Sequence, residues 1–438
     1  MFYMETSKNE INRLGIRIRK EGKNISDKTL LELEEYRTSH KKILSDVFQK
    51  LIDIRRREFS NNTIVTYRIK RFESIINKLN RFPDMAFSRM GDIAGCRIIV
   101  NTDYEIYKFK EEIQKVLTVK KINDYIETPQ EDGYRSLHLY VETPNVKKTI
   151  EIQLRTREDH NWATLVEITD LLFDSHLKEY GENKELYKLH QLLAYTDDLS
   201  FEERKIVAKI LIKYNYLEKI NDVFSRNYIN VREQWLGIET NSKQKYILII
   251  SSKNEIPIIS AFENFQNAED KYFENFKQNQ KANIVLTYLP KPNYQHISMA
   301  YSNYILTVHS FEDESLNIFE SLALQYLRKG RFIAFARYYD FYLNIFTRRL
   351  SNSIREYSHY EKAKSKKTSK RFIKKEREWR DDINEESEKF KKVNTKFKNE
   401  LNKVIAQNKI NIRITIFILN IIAKKYRKRL KKYLKKMN

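Results

Sequence analysis

Apolar positions change period several times along this chain, and each change predicts a different element. From about 25 to 60, Leu30, Leu33, Ile43, Leu44, Val47, Phe48 and Leu51 recur at mixed three- and four-residue spacing, which predicts one long helix. A helix is also predicted over about 66–80. At about 100° per residue, Ile69, Phe72, Ile76 and Leu79 gather on one face, and Lys70, Ser74 and Lys78 on the opposite one. A buried strand follows at Cys96–Val100, then a helix around Glu105–Leu117, then strands at Leu137–Glu142 and Ile150–Arg155. In these last two the alternation is strict. Leu137, Leu139 and Val141 oppose His138 and Tyr140, and Ile150, Ile152 and Leu154 oppose Glu151, Gln153 and Arg155. A helical stretch runs from Trp162 to about Asn215. A second run of strands then appears at Tyr246–Ser251, Ile256–Phe262 and Asn283–Leu289, with an amphipathic helix at Ala268–Phe276. Helices from Leu316 to about Tyr360 and a basic region finish the chain.

This order predicts an α/β (α+β) fold built on a mixed sheet flanked by helices. The divisions fall at 1–60 (helical), 61–198 (the first α/β unit), 199–315 (a helical connection and a small second α/β domain) and 316–438 (a helical extension, polybasic after about 361).

Charge sharpens the last of these divisions. The formal net charge is +23, and Glu361–Asn438 alone holds 27 Lys and Arg against 9 Asp and Glu, leaving the remainder nearly neutral. A polycationic segment suits nucleic acid, ribosomes or anionic lipid. It reads equally well as a solvated, charge-laced helix. The single Cys96 excludes a disulfide framework and a Cys-rich zinc site and fits a reducing cytoplasm. The opening MFYMETSKNE predicts no secretory signal, and the longest apolar run, Ile414–Ala423, is too short for a membrane span.

Four short segments carry candidate chemistry. Lys70, Ser74 and Lys78, with Arg68 beside them, present oxyanion-binding groups that could grip a triphosphate, although such a face is also an ordinary solvated one. Asp92, between glycines just before the Cys96 strand, is placed either to hold a hard cation at the sheet's mouth or simply to cap a loop. Glu151, Gln153 and Arg155 form a polar row on one strand face. Paired with Asp92, Glu151 could share a magnesium ion and take a proton from a hydroxyl. Gly133 permits a turn that leaves Tyr134 free to stack on a base, and His138 lies on the following strand. None decides by itself; together and in this order they do.

Arg-x-Lys-x-x-x-Ser, Asp-Ile-x-Gly-x-Arg, Gly-Tyr-Arg-Ser-Leu-His and Glu-Ile-Gln-Leu-Arg-Thr, spread over about residues 60–175, resemble the synthetase domain of the RelA/SpoT family. The resemblance implies a nucleotidyltransferase-like sheet and transfer of pyrophosphate from ATP to a ribose 3′-hydroxyl. It implies that Arg68, Lys70, Ser74 and Lys78 bind ATP, and that Asp92 and Glu151 hold Mg2+, with Glu151 also the base. Tyr134 would stack on the acceptor base, and Arg97, His138, Gln153 and Arg155 would shape the pocket. One departure stands out. Gln130, followed by Glu131 and Asp132, occupies the position where guanosine synthetases of the family usually carry a basic residue. Three functions follow: synthesis of (p)ppGpp from GDP or GTP, pyrophosphorylation of the 3′ end of tRNA, or a non-catalytic nucleic-acid-binding or sensor role. No hydrolase domain fits the N-terminal region. Restraint would therefore come from an antitoxin or other regulatory partner, a dedicated hydrolase, or the C-terminal region.

Overall fold

The computed structural model describes residues 7–22, 24–143, 146–173, 183–220, 234, 238, 243–252, 256–279, 282–290, 308–364, 370–407, 424, 426 and 428. The chain divides into two compact units, Met1–Tyr195 with Arg226–Thr307, and Thr196–Ser225 with Val308–Asn438.

The helices are α1 (Lys8–Glu21), α2 (Asp27–Thr38), α3 (Lys41–Glu58), α4 (Phe72–Arg81), α5 (Asp103–Val116), α6 (Arg157–Phe173), α7 (Lys184–Leu193), α8 (Phe201–Lys213), α9 (Phe265–Gln278), α10 (Val308–Arg328), α11 (Phe332–Lys364) and α12 (Lys370–Gln407). The strands are β1 (Ile64–Ile69), β2 (Ala94–Val100), β3 (Thr118–Asp124), β4 (Leu137–Thr143), β5 (Val146–Thr156), β6 (Tyr246–Ser251), β7 (Ile258–Phe262) and β8 (Asn283–Tyr288). Among the described residues, these eight strands form one sheet in the order β3-β4-β5-β2-β1-β8-β6-β7. β2 and β5 run parallel, and the other neighbours run antiparallel, so the sheet is mixed as expected.

Two-residue alternation gives this sheet an apolar face and a partly polar one. Val65, Tyr67 and Ile69 of β1, Cys96 and Ile98 of β2, Ile150 and Ile152 of β5, and Ile284 and Leu286 of β8 join the buried faces of α3, α5 and α9 in one core. Full burial of each such side chain stabilises the fold by about 1.5–3 kcal/mol. A smaller core packs Leu14 and Ile18 of α1 and Leu33 and Tyr36 of α2 against Ile75 and Leu79 of α4, with Phe87 and Ile93 between. That core fixes where α4 stands.

Three expectations are corrected here. The strands at 246–288 do not form a second α/β domain. β8 pairs with β1 at Val65–Tyr67, so these strands extend the same sheet, because the far edge of β1 still offered unpaired backbone groups. Residues 64–69 are a strand, and the helix begins only at Phe72, so Arg68 and Lys70 are not on a helix face. The β-branched and aromatic run Ile64-Val-Thr-Tyr67 favours the extended chain there. The long helix over 25–60 is two helices. At their junction the Ser39 hydroxyl donates to the Tyr36 carbonyl at 2.6 Å, and His40 Nδ1 lies 2.9 Å from the same oxygen. These side chains compete with the backbone bonds that would continue the helix.

In the second unit, α10 and α11 are joined through Gly330, whose φ of +68° suits a residue without a side chain. Phe319, Tyr326 and Phe335 pack in its aromatic core, and the buried Arg349 is paired with Asp313 and, at 2.8 Å, with Glu386. Most of the basic segment beyond 407, Ile414–Ala423 and Ser302–Tyr304 lie outside the described residues. Among the described residues, no helix is long and apolar enough to cross a membrane.

Candidate active site

The polar face of the sheet is ordered by strand register. Tyr140, Glu151, Gly95 and Arg68 lie side by side on β4, β5, β2 and β1. His138, Gln153, Arg97 and Thr66 form the next row. Gly95 is needed at its place. A Cβ built there would stand 2.7 Å from the Glu151 carbonyl oxygen, so any larger residue forces β2 from β5. We expect Gly95→Ala to lower stability by about 1–3 kcal/mol and to depress any activity that needs Glu151 in register. An unchanged urea midpoint would refute the close approach.

A cavity of about 80 Å³ opens over these rows, lined by Arg68, Lys70, Asp92, Arg97, Glu151 and Gln153, and also by Thr66, Gly95, Cys96, Asn283 and Val285. Asp92 sits at one end. Its Oδ2 accepts from Lys70 Nζ at 2.8 Å and pairs with Lys78 Nζ at 2.8 Å, while its Oδ1 is buried without a protein partner. Burial pushes this carboxyl upward, but the two ammonium groups outweigh burial and hold it at about 2. Lys70 is also shifted downward, but for the opposite reason: burial pulls its ammonium below the usual lysine range, and Asp92 only partly restores it.

Glu151 is 8% exposed and is fixed by three neighbours. Tyr140 Oη donates to its Oε1 at 2.9 Å, His138 Nδ1 lies 3.0 Å from the same oxygen, and Gln153 Nε2 donates to its Oε2 at 2.8 Å. Burial raises the carboxyl, yet the His138 and Tyr140 contacts, working against burial and nearby Asp92, leave it below the ordinary value and therefore ionised at neutral pH. A carboxylate only accepts, so His138 carries its proton on Nδ1. In the neutral ring Nε2 then accepts from the Tyr134 hydroxyl at 2.8 Å. That hydroxyl oxygen accepts in turn from Arg155. A chain of hydrogen-bond contacts thus links Arg155, Tyr134, His138 and Glu151, and it is directed from Arg155 to Glu151 when the imidazole is neutral.

Tyr134 is less free than its turn suggested. Gly133 does adopt a positive φ of +94°, but the Arg155 guanidinium stands 4.8 Å from the Tyr134 ring centroid and covers one face. Arg97 is the most strongly perturbed of the cations here. Burial, then repulsion from Arg155 and Arg68, draws its guanidinium down to about 9, and its Nε is buried without a protein partner. Three guanidinium groups repelling one another on a sheet face form an arrangement that an anion relieves.

Arg68, Lys70, Asp92, Arg97, Glu151 and Gln153 therefore meet in one cavity. Lys78 joins through Asp92, and Tyr134, His138 and Arg155 through the hydrogen-bond chain. Ser74, half-buried one turn before Lys78, is not among the described residues that line the cavity. Sequence reasoning missed Tyr140, Thr66, Asn283 and Val285. Tyr140 shares a strand face with His138 and could have been found from that alternation. Asn283 and Val285 reach the site only because β8 joins β1, which no local pattern announces.

A model of the region found in RelA / SpoT proteins matches residues 67–170. The chain is similar to GTP pyrophosphokinase YwaC of Bacillus subtilis, with 40% identity over 111 residues, 22% of this chain and 53% of that protein. It is also similar to GTP pyrophosphokinase YjbM of Bacillus subtilis, with 35% identity over 125 residues, 26% of this chain and 59% of that one. The chain spans about half the length of these curated relatives. Among solved structures, it is similar to small alarmone synthetase 2 from Bacillus subtilis (29% identity, TM-score 0.33, covering 42% of this chain and 99% of that one). Small alarmone synthetase 1 from Bacillus subtilis, solved with its product pppGpp, gives 26% identity and a TM-score of 0.31, covering 42% of this chain and 97% of that one.

Proposed function

We propose that the chain, which over residues 67–170 belongs to the RelA/SpoT family, is a pyrophosphokinase that moves the β,γ-pyrophosphate of ATP onto the 3′-hydroxyl of GDP or GTP and releases AMP. The observation that carries this reading is the meeting of Asp92 and Glu151 in one cavity rimmed by Arg68, Lys70 and Arg97. Anionic phosphates and a hydroxyl that must lose a proton call for that combination of charges.

In this reading Arg68, Lys70, Ser74 and Lys78 hold the donor. Lys70 and Lys78 exchange the Asp92 carboxylate for phosphate oxygens as ATP enters. The acceptor base stacks on the Tyr134 face that Arg155 leaves open. The 3′-oxygen attacks the β-phosphorus, the bond to the oxygen bridging α and β breaks, and AMP leaves with that electron pair. Glu151, ionised and held by Tyr140, His138 and Gln153, takes the proton from the attacking hydroxyl.

The residues also suit magnesium. Among the described residues, no three His, Cys, Asp or Glu side chains converge, so the protein's share of a cation shell would be Asp92 and Glu151. The buried, unpartnered Asp92 Oδ1 is an oxygen available for that role. Magnesium characteristically takes one or two carboxylates and completes its shell with water and phosphate. Bound there with ATP, it would neutralise phosphate charge.

One observation favours a second acceptor, the 3′ end of tRNA. Beside Tyr134, the turn from Gln130 to Gly133 offers Glu131 and Asp132 and no cation for the 5′ phosphates of a free nucleotide. Asp132 Oδ1 instead accepts from the Tyr134 N–H at 2.9 Å. The polybasic segment after 361 would then serve as an RNA or ribosome contact. Incubating the full chain with γ-labelled ATP and GDP, GTP or bulk tRNA decides between them. We expect label in the guanosine nucleotide. Label confined to tRNA would establish the second acceptor, and label in neither would remove the pyrophosphokinase reading.

A further inference from the structure

The three successive peptide units from Arg68 to Arg71, with Lys70 among them, are each held by a hydrogen bond from a different direction. The Lys70 N–H donates to the Ile93 carbonyl at 2.8 Å, continuing the pairing of β1 with the β2 side. Arg37 Nε of α2 donates to the Lys70 carbonyl at 3.1 Å. On the other edge, β8 pairs with β1 only at Val65–Tyr67. The next N–H on that edge, from Ile69, therefore points past the end of the ladder into the core. It donates instead to the Tyr272 hydroxyl of α9, at 2.9 Å. Tyr272 thus supplies the acceptor that β8 does not.

Tyr272 and Arg37 form a single packed brace. They are 0% and 2% exposed. The Tyr272 ring lies 5.0 Å from that of Tyr67 and is nearly parallel to that of Phe276. Phe276 carries the Arg37 guanidinium 4.3 Å above its own ring. A buried N–H without an acceptor is costly. Deleting the Tyr272 oxygen would therefore favour rotation of the Arg68–Ile69 peptide, one unit before Lys70, and with it a shift of the Lys70 stem away from the site.

We propose that Tyr272 is a positioning residue for Lys70. Its hydroxyl fixes the end of β1 so that the Lys70 ammonium meets Asp92 in the free protein and the donor's outer phosphates in the complex. The proposal rests on the reading of Lys70 as a donor-phosphate ligand given above. It also assigns α9, which lies outside residues 67–170, a direct part in shaping the site.

The test uses the full chain and calorimetric binding of two ligands, AMP and an ATP analogue with a methylene between the α- and β-phosphates. Tyr272→Phe should weaken the analogue by about tenfold and leave AMP within about twofold, because only the outer phosphates reach Lys70. Ile284→Val trims the same core and is the control for stability. It should lower the melting temperature comparably without changing affinity for the analogue. Unchanged analogue binding in Tyr272→Phe overturns the proposal. So does an equal loss for AMP, or the same loss in Ile284→Val. Should Tyr272→Phe fail to fold, Arg37→Met removes the donor that holds the Lys70 carbonyl from the other side of the chain and must show the same split between analogue and AMP. A wild-type chain that binds no analogue overturns the donor-site reading itself, and the proposal with it.

Discussion

Replacing Glu151 by Gln should lower pyrophosphoryl transfer by about a thousandfold while leaving the fold nearly intact. The substitution is isosteric, and the amide oxygen can still accept from Tyr140 Oη and His138 Nδ1. The amide nitrogen would face the Gln153 amide, which can turn its own oxygen toward it, because that oxygen makes only a 3.4 Å contact with Arg155. What disappears is the negative charge. An amide neither takes a proton from a hydroxyl nor binds a hard cation as a carboxylate does. Because the Glu151 carboxyl is held below its ordinary value, it stays ionised as pH falls through the range where a free glutamate would protonate. The wild-type acid limb should accordingly lie below that range. Transfer of labelled pyrophosphate, measured beside a urea unfolding curve, tests both halves. Activity within tenfold of wild type would take Glu151 out of the reacting centre.

Asp92→Asn should be equally inactive and, unlike Glu151→Gln, measurably less stable. Asp92 is the shared counter-ion of Lys70 and Lys78, and its side chain is only 13% exposed. The carboxyl is depressed from the ordinary value of 3.8 to about 2, which corresponds to about 2 kcal/mol of stability. The sign follows from the depression. The contribution is complete above pH of about 4, where the unfolded chain is ionised too, and it is lost as pH falls through the folded value. Wild type and Asp92→Asn should therefore differ by about 2 kcal/mol at neutral pH and converge as pH approaches about 2. Denaturant midpoints across that range provide the measurement. Curves that stay parallel would mean that the two lysines do not stabilise the carboxylate.

Much of the candidate site was legible before any coordinates. Ile150, Ile152 and Leu154 alternate with Glu151, Gln153 and Arg155, and a strand with one buried face has no other way to place them. The same holds for Leu137, Leu139 and Val141 against His138 and Tyr140. Only the start of the helix read over 66–80 was wrong, because Ile69, Phe72, Ile76 and Leu79 fit a helical period whether or not the first of them is helical. Ile69 is instead the last residue of β1, buried by the same core from a different geometry. The covering of one Tyr134 face by Arg155 was not legible, since it depends on where two strands and a turn come together.

Side-chain alternation, turn chemistry and the local sign of charge belong to neighbouring residues, so the order of amino acids alone specifies which faces are apolar and which groups stand ready for phosphate. The joining of β8 to β1 is of another kind. Backbone donors and acceptors are the same for every residue except proline, and the pairing spans more than two hundred positions of chain, so nothing in the side-chain pattern of either strand names its partner. Only the folded unit decides that Asn283 and Val285 line the cavity, that Tyr272 closes the end of β1, and that strands far from the matched motifs belong to the same sheet.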